Sequence, residues 1–315
     1  MSNPSISPEK VISLTTPLLN KLSEVILGKD EQLKLAVCCI LAEGHLLIED
    51  LPGMGKTTLS QALGKVFGME YQRIQFTSDI LPADILGVSV FEAAGAGEMG
   101  KFVFHPGPVF NQLILADEIN RATPKAQSAL LEAMEERQVT VEGETRPLPK
   151  PFFVIATQNP VNQSGTFALP ESQLDRFLMC LEMGYPSEQA EREILEGVDR
   201  RQMIDSMSAL LTLDQLSDVQ DAVLDVHISS TLMDYIQRVI AYTRQKAEVE
   251  YGLSPRGAQA LVRATKAWAL LHGRAHAVPE DVQAVLASVI DHRMPTGKNT
   301  DHKISQHILN EVNVL

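Results

Sequence analysis

The sequence predicts an α/β protein in which a parallel sheet is covered by helices and followed by an all-helical part. Three observations carry that prediction. Short apolar runs at 45–50, 71–77, 112–117, 152–158 and 177–183 alternate with helical patterns, as in a parallel sheet buried on both faces. Strand signals stop after Gly184, Tyr185, Pro186 and Ser187, and periodic helices take over. The first run passes through a glycine turn straight into a helix start.

That first run leads through Asp50, Leu51, Pro52, Gly53, Met54 and Gly55 to Lys56, Thr57 and Thr58. The pattern approaches the phosphate-binding loop G-x-x-x-x-G-K-[ST], with Asp50 where the first glycine belongs. Backbone N–H groups around Gly53 and Gly55, with the unpaired donors of the following helix, can cradle phosphate oxygens. Lys56 adds a point charge, and the Thr57 hydroxyl can hold magnesium, which favours oxygen ligands. A carboxylate aimed at phosphates would weaken binding, so the Asp50 side chain is expected to face away or to bind backbone donors.

Two β-like insertions interrupt the core. Residues 88–92 and 101–105, separated by a glycine-rich stretch through Gly95, Gly97 and Gly100, read as a hairpin. Residues 139–141 and 144–148, around Glu142 and Gly143, read as a second one.

The third run ends in Asp117 and Glu118. Carboxylates there stand at the carboxyl edge of a parallel sheet, where open α/β folds bind ligands. Asp117 can anchor a hydrated magnesium ion and Glu118 can accept a proton from water. The fourth run ends at Asn159, whose amide can hydrogen-bond a terminal phosphate and the attacking water, although Asn-Pro is equally a turn starter. Arg176, before the fifth run, and Arg256, at a helix start, each read as a charge-neutralising guanidinium or as an ordinary ion-paired side chain.

Pro186 and Ser187 suit a linker, and helical patterns follow near 187–207, 212–223, 229–249, 254–273 and 279–292. Ser254-Pro255 opens one with an N-cap and a proline at the first helical position. Trp268, Ala264, Leu261 and Leu271 read as one buried helix face, and His45 and His105 as packed core residues. His272 and His276 have i,i+4 spacing, but Gly273 ends the helix between them, against a metal pair.

The chain has 315 residues, 44% hydrophobic and 21% charged, an ordinary globular composition. Its formal net charge of -13 argues against nucleic acid as the default partner. Cys38, Cys39 and Cys180 lie in apolar surroundings without metal spacing, which suits buried reduced thiols. No run is long enough to span a bilayer and the start lacks a signal-peptide layout, so a cytoplasmic protein is expected.

Taken together, Pro52 to Thr57, Ala116 to Ala122, Gln127 to Met134, Ala156 to Pro160 and Leu169 to Phe177 closely resemble the MoxR family of AAA+ ATPases, in the helix-2-insert clade. The resemblance runs from about Val25 to Arg293. It implies an αβα sandwich with sheet order 5-1-4-3-2 in a core over 1–185, and a helical lid over 186–315. It implies that Lys56, Thr57 and Thr58 bind phosphates, that Thr57 and, through water, Asp117 hold Mg2+, and that Asp117 and Glu118 form the Walker B pair, with Glu118 catalytic. Asn159 would be sensor 1, Arg176 an arginine finger acting in trans, and Arg256 sensor 2. Leu27 and Gly28 would pack on adenine, and the hairpins near 88–105 and 139–148 would face a pore or partners.

The implied activity is ATP hydrolysis by a homo-oligomeric ring, usually a hexamer. It would be coupled to remodelling, activation or metal-cofactor maturation of a client, commonly one with a von Willebrand factor A domain. A nucleic-acid motor and a slow nucleotide-dependent scaffold or switch are the alternatives.

Overall fold

The structure is a computed structural model and describes residues 6–92, 100–159, 166–197, 199–245, 251–294 and 303–314. Two helices, α1 (Pro8–Val25) and α2 (Asp30–Leu41), precede the first strand. The core then runs β1 (Leu46–Glu49), α3 (Lys56–Val66), β2 (Tyr71–Gln75), α4 (Pro82–Leu86), β3 (Gly87–Glu92), β4 (Lys101–Pro106), β5 (Leu113–Asp117), α5 (Pro124–Glu136), β6 (Gln138–Val141), β7 (Glu144–Pro147), β8 (Phe153–Gln158), α6 (Glu171–Leu174) and β9 (Met179–Leu181). Helices follow: α7 (Glu188–Glu196), α8 (Arg200–Asp205), α9 (Leu213–Asp225), α10 (Ser230–Gln245), α11 (Pro255–Leu271), α12 (Pro279–Ile290) and α13 (Ile304–Glu311).

The main sheet has five strands in the order β2-β5-β8-β1-β9, every pair parallel. Counting only its own strands along the chain, that is the expected 5-1-4-3-2. Strand alternation sends side chains to two cores. Leu46, Ile48, Leu113, Leu115, Phe153 and Ile155 join α1, α2, α3 and the later helices, whereas Leu47, Ile114, Ala116, Val154 and Ala156 meet α5. The register pairs Ile48 with Thr157 and Ala116 with Ala156. The carboxyl ends of β1, β5 and β8 therefore stand side by side, which is what assembles the site.

Both expected hairpins form, as the antiparallel pairs β3/β4 and β6/β7. The stretch through Gly95 and Gly97 lies outside the described residues. His105 is not a core residue: it lies on β4, off the main sheet, is exposed, and sits 3.5 Å from Glu92. Trp268 is only half-buried, whereas Leu261, Ala264 and Leu271 are buried as expected.

The pattern at 187–207 forms two helices rather than one. Gly197 is extended there, and Asp199 starts α8 by accepting from Arg201 N at 2.9 Å. Of the span 229–249, residues 246–249 lie outside the described residues. The short α13 was not expected, because its cap is tertiary. Asp291 accepts from Ser305 N at 3.0 Å and from Ser305 Oγ at 2.7 Å. Cys38 and Cys39 are buried and Cys180 half-buried, all as free thiols whose pKa burial pushes up.

His45, just before β1, ties three elements together. Its Nδ1 accepts from Val154 N at 3.0 Å, so Nε2 carries the hydrogen that faces Met134 O at 3.4 Å. Burial lowers its pKa to about 4, helped by the charge of Arg137. The folded pKa lies below the unfolded one, so its contribution is present above about pH 6.5 and is lost as pH falls toward 4. Between pH 6.5 and 5 this amounts to about 2 kcal/mol. Urea unfolding of a His45→Gln variant is expected to be less acid-sensitive than the parent by about that amount. Parallel pH profiles for the two proteins would remove His45 from this role.

Candidate functional site

The cradle follows β1. Gly53 and Gly55 have φ +87° and +80°, left-handed conformations that favour glycine, and the space beside each is open. Helix α3 begins at Lys56 with neither a side-chain cap nor an acid in its first turn. Its first N–H groups are thus free of internal anionic competitors, and the geometry fits a phosphate. Pro52 and Gly53 are exposed, and Met54, Thr57 and Thr58 are half-buried.

Lys56 is buried, and its Nζ donates to Asp50 O at 2.8 Å and to Asn159 Oδ1 at 3.3 Å. Burial lowers its pKa, while Asp50, Asp117 and Glu118 pull the other way. Asp50 itself behaves as expected of a side chain bound to backbone donors. Its carboxylate accepts from Leu51 N at 2.7 Å and from Gly184 N at 2.6 Å. The position that lacks glycine therefore links the cradle to the strand-to-helix junction.

Asn159 passes the contact on, donating through Nδ2 to Glu118 Oε1 at 3.0 Å. Glu118 has φ +57°, a left-handed conformation uncommon for a residue with a side chain and typical of strained functional positions. Its backbone N donates to Thr157 Oγ1 at 2.9 Å, and that hydroxyl donates to Asp117 Oδ1 at 2.6 Å. Glu118 Oε2 accepts from Gln75 at 3.1 Å and from Arg121 at 2.9 Å. The other oxygen of Asp117 accepts from Arg73 Nε at 3.1 Å and Nη2 at 2.6 Å. Lys56, Asn159, Glu118, Thr157 and Asp117 thus form one continuous chain of hydrogen bonds. The oxygen donors of Thr57 and Asp117 suit a hydrated magnesium ion.

Arg176 and Arg256 are not part of that chain. Arg176 Nη1 donates to Leu131 O, its Nε lies 3.7 Å from Glu135, and Arg256 Nη2 pairs with the same Glu135. Among the described residues neither arginine contacts Lys56, Glu118 or Asn159. Leu27 is half-buried, and Gly28, with φ +67°, runs against the start of α7. A Cβ on Gly28 would stand 3.0 Å from the Ala190 Cβ.

The sequence reading missed Thr157, Arg73, Gln75, Arg121 and Glu135. Thr157 lies two residues before Asn159, so strand alternation was one available signal. Arg73 and Gln75 reach the site only because β2 pairs with β5, with Gln75 opposite Asp117. No local pattern announces that register.

Residues 45–179 match the family described as the ATPase family associated with various cellular activities (AAA), and residues 241–312 match the AAA lid domain. The chain is 38% identical to Chaperone MoxR1 of Mycobacterium tuberculosis, over 87% of this chain and 74% of that protein. It is 31% identical to Protein MoxR of Methylorubrum extorquens, over 87% of this chain and 85% of that protein. The chain belongs to the MoxR family of AAA+ ATPases.

A solved structure from Cytophaga hutchinsonii, described as a candidate ATPase, superposes on this MoxR-family chain with a TM-score of 0.85 at 32% identity. The match covers 97% of this chain and 96% of that one. The MoxR-family fold is thus an AAA+ α/β core with a helical C-terminal region. Membership makes the protein a nucleotide-binding ATPase in general terms. No described helix of it is long and apolar enough to cross a membrane.

Proposed function

We propose that this MoxR-family protein hydrolyses ATP to ADP and phosphate in a homo-oligomeric ring, usually a hexamer, and uses the energy to remodel a client protein. The observation that carries the reading is the hydrogen-bond chain joining Lys56, Asn159, Glu118 and Asp117. The amides around Gly53 and Gly55, with Lys56, Thr57 and Thr58, hold the phosphates, and Leu27 and Gly28 pack on adenine. Thr57 and Asp117 would hold Mg2+, which when bound neutralises phosphate oxygens.

Glu118 takes the proton of the attacking water, and Asn159 orients that water against the terminal phosphate. Thr157 and Arg73 keep the Asp117 carboxylate aimed. Arg176 supplies its charge to the neighbouring subunit's site, and Arg256, which shares Glu135 with it, is assigned to the same side. The core is taken as residues 1–185 and the lid as 186–315.

The client role draws support from the name of the Mycobacterium tuberculosis relative, a chaperone. A client with a von Willebrand factor A domain, activated or loaded with its metal cofactor in the cytoplasm, is the specific form proposed. The hairpins β3/β4 and β6/β7 would meet it; Phe91 and Phe102 form an exposed edge-to-face pair with centroids 5.3 Å apart on the first.

Phosphate release by the purified protein with ATP and magnesium is the test. Turnover is expected to rise with a von Willebrand factor A domain client and to stay flat with DNA or RNA. Stimulation by nucleic acid alone would favour a motor, and binding without turnover a switch.

A further inference from the structure

We propose that Glu135 is a positioning residue for hydrolysis: it holds Arg176 and Arg256 side by side so that both guanidiniums enter a neighbouring subunit's site as one unit. The proposal rests on the reading that Arg176 acts in trans.

Glu135 lies in the last turn of α5, and its two oxygens serve elements far apart in the chain. Oε1 takes Arg256 Nη2, on the first turn of α11, and Oε2 faces Arg176 Nε. Neither helix gains from this placement. An acid in a final turn and a cation in a first turn each oppose their own helix dipole. Helix α5 has no basic residue in its last turn and α11 no acid in its first, so local pairing does not offset either charge. The bridge is therefore not a by-product of helix capping.

A second tie fixes the backbones. Asp175, beside Arg176, accepts from Ser254 Oγ at 2.9 Å and from Arg293 Nε at 2.8 Å, and Ser254 is the N-cap of α11. The segment bearing Arg176 is thus bound to the helix start bearing Arg256. Glu135 then sets the two side chains relative to each other. Arg176 Nε is buried and faces Glu135 Oε2 at 3.7 Å without a hydrogen bond among the described residues, so Glu135 holds this guanidinium by charge. The arginines line a cleft of about 240 Å³ that also receives Arg137 and Arg263, which pair with Glu43 at 3.0 and 3.3 Å. Cations outnumber acids around it, which suits an anionic group brought by a neighbour.

Subunits with Lys56→Ala, lacking a working cradle, are mixed with subunits carrying Arg176→Ala, and ATP turnover of the mixture is the reference. Glu135→Ala on the Lys56→Ala partner, the arginine donor, is expected to lower that turnover at least about tenfold, with nucleotide affinity unchanged within about twofold. On the Arg176→Ala partner the same change is expected to cost less than about twofold. Glu135→Gln, which keeps the volume and loses the charge, is expected to follow the same asymmetry and serves if the alanine variant does not fold. Equal losses in both placements, or no loss in either, overturn the proposal. A reference mixture no faster than its separate components instead removes the trans reading, and the proposal with it.

Discussion

Glu118→Gln is expected to bind ATP as the parent does and to hydrolyse it at least about a hundredfold more slowly, the lower range for loss of a positioned general base. A hundredfold corresponds to about 2.7 kcal/mol of barrier. The substitution is conservative in geometry. An amide oxygen can still accept from Asn159 Nδ2, the 3.0 Å contact that joins this residue to Lys56. The ion pair with Arg121 is lost, but that side chain is 53% exposed, so the effect on stability is small. Single-turnover phosphate release beside nucleotide titration separates the two quantities. Unchanged hydrolysis would remove Glu118 from the base role. If the proposed ring and client are right, the variant would bind ATP without releasing it and retain the client, which makes it the tool for isolating one.

Arg176→Ala is expected to lower turnover about a thousandfold or more, the range associated with a guanidinium that neutralises transition-state charge. Turnover is expected to return when the variant is mixed with Lys56→Ala subunits, which keep the arginine. The loss should be chemical rather than structural. Arg176 gives up its bond to Leu131 O and a loose 3.7 Å pairing with Glu135, whereas Asp175 keeps the segment tied to Ser254 and Arg293. Thermal unfolding within a few degrees of the parent, together with rescue in the mixture, is the expected pair of results. Without rescue, action in trans is lost.

The legible part of the site was the part written in consecutive residues. Gly53 to Thr58, Asp117 with Glu118, and Asn159 each sit at the end of an apolar strand, and a strand end in a parallel sheet can face only one edge. Arg176 and Arg256 were legible as candidate charges but not as neighbours. They are 80 positions apart in the chain, and Glu135 and Asp175 bring their elements together. His105 misled because an apolar strand pattern does not say which sheet the strand joins, and β4 joins a two-stranded one.

By itself, the sequence determined the alternation of strands and helices in the core, the glycine turn of the cradle and the residues at each strand tip, but not the split of α7 from α8 or the presence of α13. Those depend on local periodicity, turn chemistry and capping, all of which act over a few positions. Only the tertiary structure decided what the tips touch. The pairing of Ile48 with Thr157 and of Gln75 with Asp117 sets the hydrogen-bond chain, and Asp50 reaches Gly184 across 134 positions. Such contacts arise from register and from packing between distant segments, whose free energy no single stretch of chain encodes.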